Sequence, residues 1–216
     1  LPGVLACVTS AELAGVPTIP LRHGAQPEHV AYLQPPLARE TVRYAGEPVA
    51  VVIATACATA VDARELVEID YEVLSALVDP ADADRPGGPV LFTGGNVVDS
   101  WTTALGDADA ALREAACVVR ERFSVGGQTA APMETRGLVA EWDRAESRLT
   151  VWGTTKVPYF NRQTLGTMLG LDEARIHFVE SDAGGGFGAR GEFYPEDFLV
   201  PYLARRLERP VKWVED

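Results

Sequence analysis

A run of glycines between residues 184 and 188 is the part of this sequence best suited to bind a ligand. Gly184, Gly185 and Gly186 are followed by Phe187 and Gly188, and consecutive glycines let a backbone adopt positive φ and approach a bulky group closely. Successive exposed N–H groups in such a run can hold an anion. A tight turn without a ligand is an equally good interpretation of three glycines taken alone.

Two common phosphate-binding loops do not match this run. A P-loop requires Gly-Lys-Ser or Gly-Lys-Thr at the start of a helix, whereas this chain has Ala189, Arg190 and Gly191 there. A dinucleotide-binding loop places its anion at the N-terminus of the following helix, where Glu196 and Asp197 would repel it. A bound anion is therefore expected on the loop amides.

The cysteines give no sign of a metal centre. Cys7, Cys57 and Cys117 lack the CxxC spacing of zinc and iron–sulfur sites. We expect them to be buried free thiols of a protein in a reducing compartment.

Charge and hydropathy exclude two further classes of function. The net charge is −12, and no basic stripe that could bind nucleic acid is visible. The longest uncharged stretch, residues 48–61, is shorter than the roughly 20 apolar residues that span a bilayer. The chain starts at Leu1 and ends in a strand without a following turn. We therefore expect a fragment of a larger, soluble protein.

The elements that position the glycine run form two groups. In the first group, a polar segment containing His23, His29, Pro35 and Pro36 is predicted to be a long surface loop. Strand, helix and strand then follow with short links, which is typical of a small α/β unit. The predicted strands are residues 3–9, 49–53 and 68–71, and the predicted helix is residues 57–67.

Residues 79–100 contain the densest group of Pro and Gly in the chain, so we place a domain boundary there. Asp107 is the predicted N-cap of the next helix, Gly170 ends a second helix, and Pro195 starts a third. The helices of this second group are predicted at residues 107–116, 159–169 and 195–207, and the strands at 118–125, 137–142, 149–153, 176–180 and 211–216.

In these motifs the chain resembles the large subunits of the molybdenum hydroxylases, the superfamily of aldehyde oxidase, xanthine dehydrogenase and carbon monoxide dehydrogenase. The motifs are residues 43–52 and 65–71 in the first group, and residues 126–128, 133–137, 151–152, 154–155 and 182–190 in the second. The resemblance implies an α+β (mixed α/β) fold. It implies a hammerhead domain at residues 1–85, a linker at 86–100, and the first part of a molybdopterin-binding domain at 101–216.

The resemblance also implies a cofactor and a reaction. The cofactor is molybdenum held by molybdopterin, with or without a cytosine dinucleotide tail, and the pterin dithiolene rather than a side chain ligates the metal. The reaction is hydroxylation of an aldehyde or heterocycle carbon with water as the oxygen source. Electrons would leave through 2Fe-2S and FAD centres on partner subunits or domains. A dimeric, cytoplasmic assembly that binds neither nucleic acid nor membrane is expected.

The site residues follow from the same resemblance. Lys156 stands where relatives carry a glutamine near the metal, and it is the candidate catalytic residue; the family's main base, a glutamate, lies much later in the full subunit. Gln128 is equally well explained as a buried amide that satisfies loop backbone, and Glu134 as a buried carboxylate paired with Arg136 or another cation. The implied cofactor-binding residues are Gly184, Gly185, Gly186, Phe187, Gly188, Ala189, Arg190 and Gln128.

Three departures from the family pattern bear on function. Arg190 replaces the usual loop lysine, and Ala130 stands where many relatives have histidine. Gly191 stands where xanthine dehydrogenases have a glutamate that can bond a polar ring, so the parent is predicted not to be a purine hydroxylase.

Other interpretations of the chain remain open. A non-catalytic cofactor-binding or assembly module is one alternative, and an α/β domain with a mere glycine turn is another. Whether the chain comes from a molybdenum hydroxylase or from a non-catalytic module, the fragment alone is predicted to be inactive.

Overall fold

The computed structural model describes residues 1–22, 24 and 26–216, so His23 of the predicted surface loop lies outside the described residues. The six strands are β1 (Val4–Thr9), β2 (Ala50–Ala54), β3 (Gly137–Asp143), β4 (Arg148–Gly153), β5 (Ile176–Val179) and β6 (Val211–Val214). The four α-helices are α1 (Cys57–Glu65), α2 (Ala108–Glu114), α3 (Pro158–Leu169) and α4 (Pro195–Leu207). Short 3₁₀ helices cover Ser10–Leu13, Pro27–Tyr32, Pro80–Asp82 and Glu173–Arg175.

The first unit is a two-stranded antiparallel sheet followed by a helix. β1 pairs with β2, with Val8 opposite Val51, and Val8 and Ile53 are buried. The N–H of Thr55 donates to the carbonyl of Gly3, which closes the end of the sheet against α1. Strand, strand and helix lie in the order that the pattern of apolar residues predicts.

The second unit is a four-stranded sheet with two helices packed against it. The strand order is β5-β4-β3-β6; β4 and β5 are parallel and the other pairs are antiparallel. The parallel pair is joined by α3, as a parallel connection requires a crossover. Leu149 and Val151 of β4 are buried, whereas Trp152 is partly exposed, because successive side chains of a strand point to opposite faces.

One apolar core runs through both units. From the second unit it contains the buried face of the sheet, Leu165 of α3, and Phe198 and Leu203 of α4. Val8 and Leu13 of the first unit belong to the same cluster. The fold is therefore α+β, with mixed sheets and helices around a shared core.

The predicted N-cap of α2, end of α3 and start of α4 are confirmed, whereas α2 ends at Glu114 rather than at residue 116. Asp107 accepts a hydrogen bond from the N–H of Ala110 at the start of α2. Gly170 ends α3 with φ of 62°, in the left-handed region that glycine adopts without strain. Pro195 is the first residue of α4, and the N–H of Tyr194 donates to Asp197 Oδ2 at 2.8 Å.

The strands predicted at residues 68–71 and 118–125 are wrong. Both segments are without regular secondary structure; Tyr71 is 53% exposed and Phe123 is 88% exposed. A strand is stable only when its N–H and C=O groups pair with a neighbour. Among the described residues neither segment is paired with a strand, so neither has the hydrogen-bonded neighbour that a strand requires.

Three smaller predictions also need correction. α1 ends at Glu65 rather than at residue 67, and Leu66 is 66% exposed. The predicted surface loop is partly buried, since Pro36 and Leu37 are core residues and Pro27–Tyr32 is a 3₁₀ helix. The cysteines were expected to be buried, but all three are exposed, because Cys7 lies on the outer face of β1 and the others on open segments.

Within the described part of the chain, no helix combines the length and the apolar character that crossing a bilayer demands.

Candidate functional site

The glycine run forms a loop between β5 and α4, and its backbone has the conformation that the sequence predicts. Gly185 and Gly188 have φ of 105° and 99°, values that strain other residues. Phe187 also has positive φ, 45°, and its ring is 80% exposed. Two turn hydrogen bonds shape the end of the loop, from Ala189 N to Gly186 O at 2.8 Å and from Gly191 N to Gly188 O at 3.0 Å.

The carbonyl oxygens of the loop are held by the body of the protein. Tyr194 Oη donates to Ala189 O at 2.7 Å, and Lys156 N donates to Arg190 O at 2.9 Å. Arg22 Nη1, from the first unit, donates to Gly191 O at 2.7 Å. The side of the loop that carries these oxygens is therefore fixed against three other segments.

The N–H groups of the same loop are left without protein partners. Among residues 1–22, 24 and 26–216, the N–H groups of Gly185, Gly186, Phe187 and Gly188 donate to no acceptor. A Cβ placed on Gly188 would meet nothing within 4 Å, so the space beside it is open. Consecutive unpaired donors on an accessible backbone form the kind of concave site that holds an anion.

Glu134 and Arg190 pair beneath the loop. Arg190 is 5% exposed, and its Nη2 lies 2.9 Å from Glu134 Oε2. The partner of Glu134 is therefore Arg190 rather than Arg136, and the alternative of a buried carboxylate is wrong because Glu134 is 46% exposed. The guanidinium of Arg190 is directed into the protein, so this residue contacts the inner side of the loop.

Lys156 lies beside the glycine loop, on the segment between β4 and α3. Its backbone is tied to Arg190, as described above, and its side chain is exposed. A Cβ built on Gly191 would lie 3.8 Å from Lys156 Cδ and 3.6 Å from Arg22 Nη1. Two cations thus flank the position where a side chain of residue 191 would begin.

Gln128 is not brought to this site. It is exposed, on a segment without helix or strand, and within the described chain its side chain makes no hydrogen bond. The alternative of a buried amide that satisfies loop backbone is wrong, because Gln128 is not buried.

Behind the segment of Lys156 lies a small polar cavity that the sequence did not predict. Its volume is about 20 Å³, enough for one water-sized group and far too small for a cofactor. Asn161, 1% exposed, donates through Nδ2 to Thr155 Oγ1 at 3.0 Å, and its Oδ1 has no partner among the described residues. A large ligand must therefore bind on the outer side of the loop.

Two charged residues at this cavity were also not predicted. The pKa of Asp197 is raised to about 6, and burial is the largest cause. The charge of Glu196 also raises the pKa, whereas the hydrogen bond from the N–H of Tyr194 and the charge of Arg136 lower it. Arg136 donates to Glu215 Oε1 at 2.9 Å, and this bond holds the pKa of Glu215 below its usual range. The only sequence feature that pointed to these residues was the motif at residues 133–137, which contains Arg136.

A protein-ligated metal is not indicated by the side chains that the structure describes. Outside positions 23 and 25, no three His, Cys, Asp or Glu side chains are grouped so that they could hold a metal ion. The chemistry of the site rests on loop amides and cations.

Comparison with known families accounts for both units. Residues 92–216 match the molybdopterin cofactor-binding domain, and residues 1–75 match the a/b hammerhead domain of aldehyde oxidase and xanthine dehydrogenase. The chain belongs to this family, the aldehyde oxidase and xanthine dehydrogenase family of molybdopterin-binding large subunits. An α/β domain from outside this family is therefore excluded, whereas the role of the glycine loop itself stays a prediction. The boundary at residues 86–100 stays a prediction.

Individual relatives agree with this assignment. The nicotine 6-hydroxylase large subunit of Paenarthrobacter nicotinovorans is 38% identical over 222 residues, covering 100% of this chain and 27% of the relative. The carbon monoxide dehydrogenase large chain of Afipia carboxidovorans is 36% identical, covering 100% and 28%. The crystal structure of quinoline 2-oxidoreductase from Pseudomonas putida 86 superimposes with a TM-score of 0.88 and 34% identity, covering 100% and 28%. The chain thus spans little more than a quarter of the length of these relatives.

Proposed function

We propose that this chain supplies one wall of the molybdenum–molybdopterin site of a larger oxidoreductase subunit. The observation that carries the proposal is the row of unpaired N–H groups from Gly185 to Gly188, on a loop whose oxygens are tied to the protein. A domain of the molybdopterin-binding family needs donors for an anionic cofactor, and these amides are its available donors in the described residues. The bound cofactor would supply the two-electron oxidation of a substrate carbon.

The residues present fit such a group. Loop amides donate to anionic oxygen atoms without a side chain between them and the ligand. A Cβ on Gly186 would have no neighbour closer than 3.9 Å, so the protein itself does not require glycine there. Close approach of a ligand is a physical reason for a residue without a side chain at this position. In this proposal Gly184, Gly185, Gly186, Phe187, Gly188 and Ala189 contact the cofactor, whereas Arg190 supports them from beneath.

Lys156 would act as a cationic donor at the same site. Its N–H bond to Arg190 O holds its backbone beside the loop, and its side chain is exposed, with Cδ 3.8 Å from the position of a Cβ on Gly191. A charged donor forms hydrogen bonds roughly twice as strong as a neutral amide does. Gln128 would reach the cofactor only if its segment rearranges when the rest of the subunit is present.

The activity of the parent is proposed from the same relatives. These relatives include a nicotine 6-hydroxylase and a quinoline 2-oxidoreductase. Nicotine and quinoline are both heterocycles. We propose hydroxylation of a heterocycle or aldehyde carbon with water as the oxygen source. A purine is not the proposed substrate, because Gly191 itself offers no carboxylate and the carboxylate of the next residue, Glu192, is paired with Arg22 at 3.7 Å. Efficient xanthine oxidation by the parent would contradict this choice.

The remaining parts of the proposal concern the assembly. We propose a pterin with or without a cytosine dinucleotide tail, 2Fe-2S and FAD centres on partner subunits or domains, a dimer of the assembled enzyme, and a cytoplasmic location. The partner subunits are supported by relatives that are named as subunits or chains of multi-subunit enzymes.

The test is to purify the full-length subunit with its partners and to measure molybdenum and pterin per subunit. Gly186→Val should leave thermal stability nearly unchanged and lower the molybdenum content strongly, because the new side chain lies where the cofactor approaches. Gly15→Val is the matched control, since a Cβ there also meets nothing within 4 Å and lies far along the chain from the loop. A mature parent that contains neither molybdenum nor pterin would refute the proposal.

A further inference from the structure

The buried guanidinium of Arg190 bridges several acceptors at once. Nε donates to Gly185 O at 2.8 Å. Nη2 donates to Glu134 O at 2.9 Å, to Glu134 Oε2 at 2.9 Å and to Thr135 O at 3.2 Å. The side chain therefore joins the second glycine of the loop to a segment that lies more than fifty positions earlier in the chain.

Glu134 connects the same segment to the beginning of the loop. Its Oε2 also accepts from Gly184 N at 2.6 Å, so one carboxylate oxygen receives a donor from each end of the loop. The fit around this carboxylate is close, because a Cβ on Gly184 would lie 2.5 Å from Glu134 Cβ. Glu134 and Arg190 together hold Gly184 and Gly185 on their inner side.

This arrangement sets which backbone groups remain free. Because Gly184 N and Gly185 O are used on the inner side, the N–H groups from Gly185 to Gly188 are the ones left for a ligand. The donors are ordered before any ligand arrives, and ordering in advance reduces the entropy that is lost on binding.

We propose that Glu134 and Arg190 form a positioning pair for the cofactor loop, with arginine rather than lysine required at position 190. The inference rests on the proposed function of the loop. Lysine carries one compact ammonium, whereas the guanidinium spans Gly185 on one side and Glu134 with Thr135 on the other through two nitrogen atoms. The arginine that replaces the family's usual lysine is therefore part of how this loop is held, and it is not an interchangeable cation.

A purely structural ion pair is the competing explanation, and it predicts different results. Glu134 is 46% exposed, and the buried guanidinium of Arg190 keeps backbone acceptors on Gly185, Glu134 and Thr135 when the carboxylate is removed, so we expect the ion pair to contribute little to global stability. A positioning role predicts altered cofactor retention at nearly unchanged thermal stability. A structural role predicts that the two properties change together.

The experiment uses the full-length subunit with its partners and compares Glu134→Gln, Glu134→Ala and Arg190→Lys. The matched control is Glu12→Ala, because Glu12 likewise accepts from one backbone N–H and one arginine, and neither belongs to the loop: Thr9 N donates to Oε2 at 2.8 Å and Arg206 Nη2 to Oε1 at 3.2 Å. The readouts are the rate of molybdenum loss on dialysis, the electron paramagnetic resonance signal of the reduced molybdenum centre, and the midpoint of thermal unfolding.

Glu134→Ala and Arg190→Lys should speed molybdenum loss by about 10- to 100-fold, the usual effect of removing a group that orients a metal's surroundings, and should alter the resonance signal. Glu134→Gln should restore most of the retention, since an amide oxygen still accepts from Gly184 N. Glu12→Ala should behave as the unmodified enzyme. Unmodified enzyme that holds molybdenum, together with normal retention and an unaltered signal in both Glu134→Ala and Arg190→Lys, would overturn the pair while leaving the proposed function intact.

Discussion

At the scale of single residues, Lys156 leads to the most specific chemical prediction, because the sequence and the structure both place it near the proposed cofactor. The resemblance places a glutamine there, and the structure puts its exposed ammonium beside a loop with unpaired N–H groups. Positive charge and free donors on one side of the loop both favour an anionic ligand.

The first prediction tests this lysine in the full-length parent. If the ammonium donates to the cofactor, Lys156→Gln should keep much of the activity, whereas Lys156→Met should lose about 1.5–3 kcal/mol, the value of a charged hydrogen bond. Steady-state kinetics, normalised to molybdenum content, measure the difference. Equal activity and equal molybdenum in both variants and the unmodified enzyme would show that Lys156 is only a surface residue.

Asp197 gives a prediction of pH dependence. Its pKa is about 6 in the folded protein, against an ordinary value of 3.8 for an aspartate side chain, so the folded state binds the proton more tightly. The carboxyl therefore destabilises the fold progressively as pH rises from about 4 to about 6 and by a constant amount above about 7. Asp197→Asn keeps the acceptor for Tyr194 N and should be more stable than the unmodified protein at pH 7, by about 1–2 kcal/mol after allowance for partial exposure.

Thermal unfolding at several pH values measures this effect. The advantage of the Asn variant should shrink as pH falls from 7 to 4, and Glu215→Gln should show the opposite trend because the pKa of Glu215 is lowered. A gap between Asp197→Asn and the unmodified protein that is the same at all pH values would contradict the assignment.

At the scale of elements, local patterns predicted ten segments well and two badly. Helices α3 and α4 were predicted within a residue because Pro158, Gly170 and Pro195 mark their ends by local chemistry. The segments at residues 68–71 and 118–125 have strand-like alternation, but pairing depends on residues remote in sequence and the pattern carries no information about them.

The lack of information about residues remote in sequence also explains which parts of the candidate site could be predicted. The glycine loop was recognisable because positive φ is a property of the residue itself. The contacts of Glu134 with Gly184 and Arg190 join positions fifty and fifty-six residues apart, and only the folded chain shows them. Arg22, Asn161 and Asp197 were likewise ordinary residues until packing placed them beside the loop.

Gly166 of α3 provides a prediction at this scale. Alanine is favoured over glycine inside a helix by about 1 kcal/mol, yet a Cβ on Gly166 would lie 2.9 Å from the backbone oxygen of Leu171. The oxygen is held because Leu171 N donates to Gly166 O at 2.9 Å. We expect Gly166→Ala to lower the unfolding midpoint, whereas Gly15→Ala, in open space, should not. An increase in the midpoint for Gly166→Ala would show that the turn after α3 yields.

At the scale of the whole molecule, the chain forms only one wall of the proposed cofactor site. The chain spans little more than a quarter of its relatives, and the outer side of the glycine loop is open. We expect residues 1–216 expressed alone to purify without molybdenum and without activity, even from cells that mature the parent. Stoichiometric molybdenum in that preparation would be the contrary result.

The shared core of the two units has a consequence for how the molecule melts. Val8 and Leu13 lie in the same apolar cluster as Phe198 and Leu203, so neither unit can unfold without exposing buried surface of the other. Calorimetry of residues 1–216 should therefore record a single heat-absorption peak, with van't Hoff and calorimetric enthalpies that agree. The Pro- and Gly-rich stretch at residues 79–100 would then mark a boundary between two domains in the sequence, although the two domains unfold as one cooperative unit.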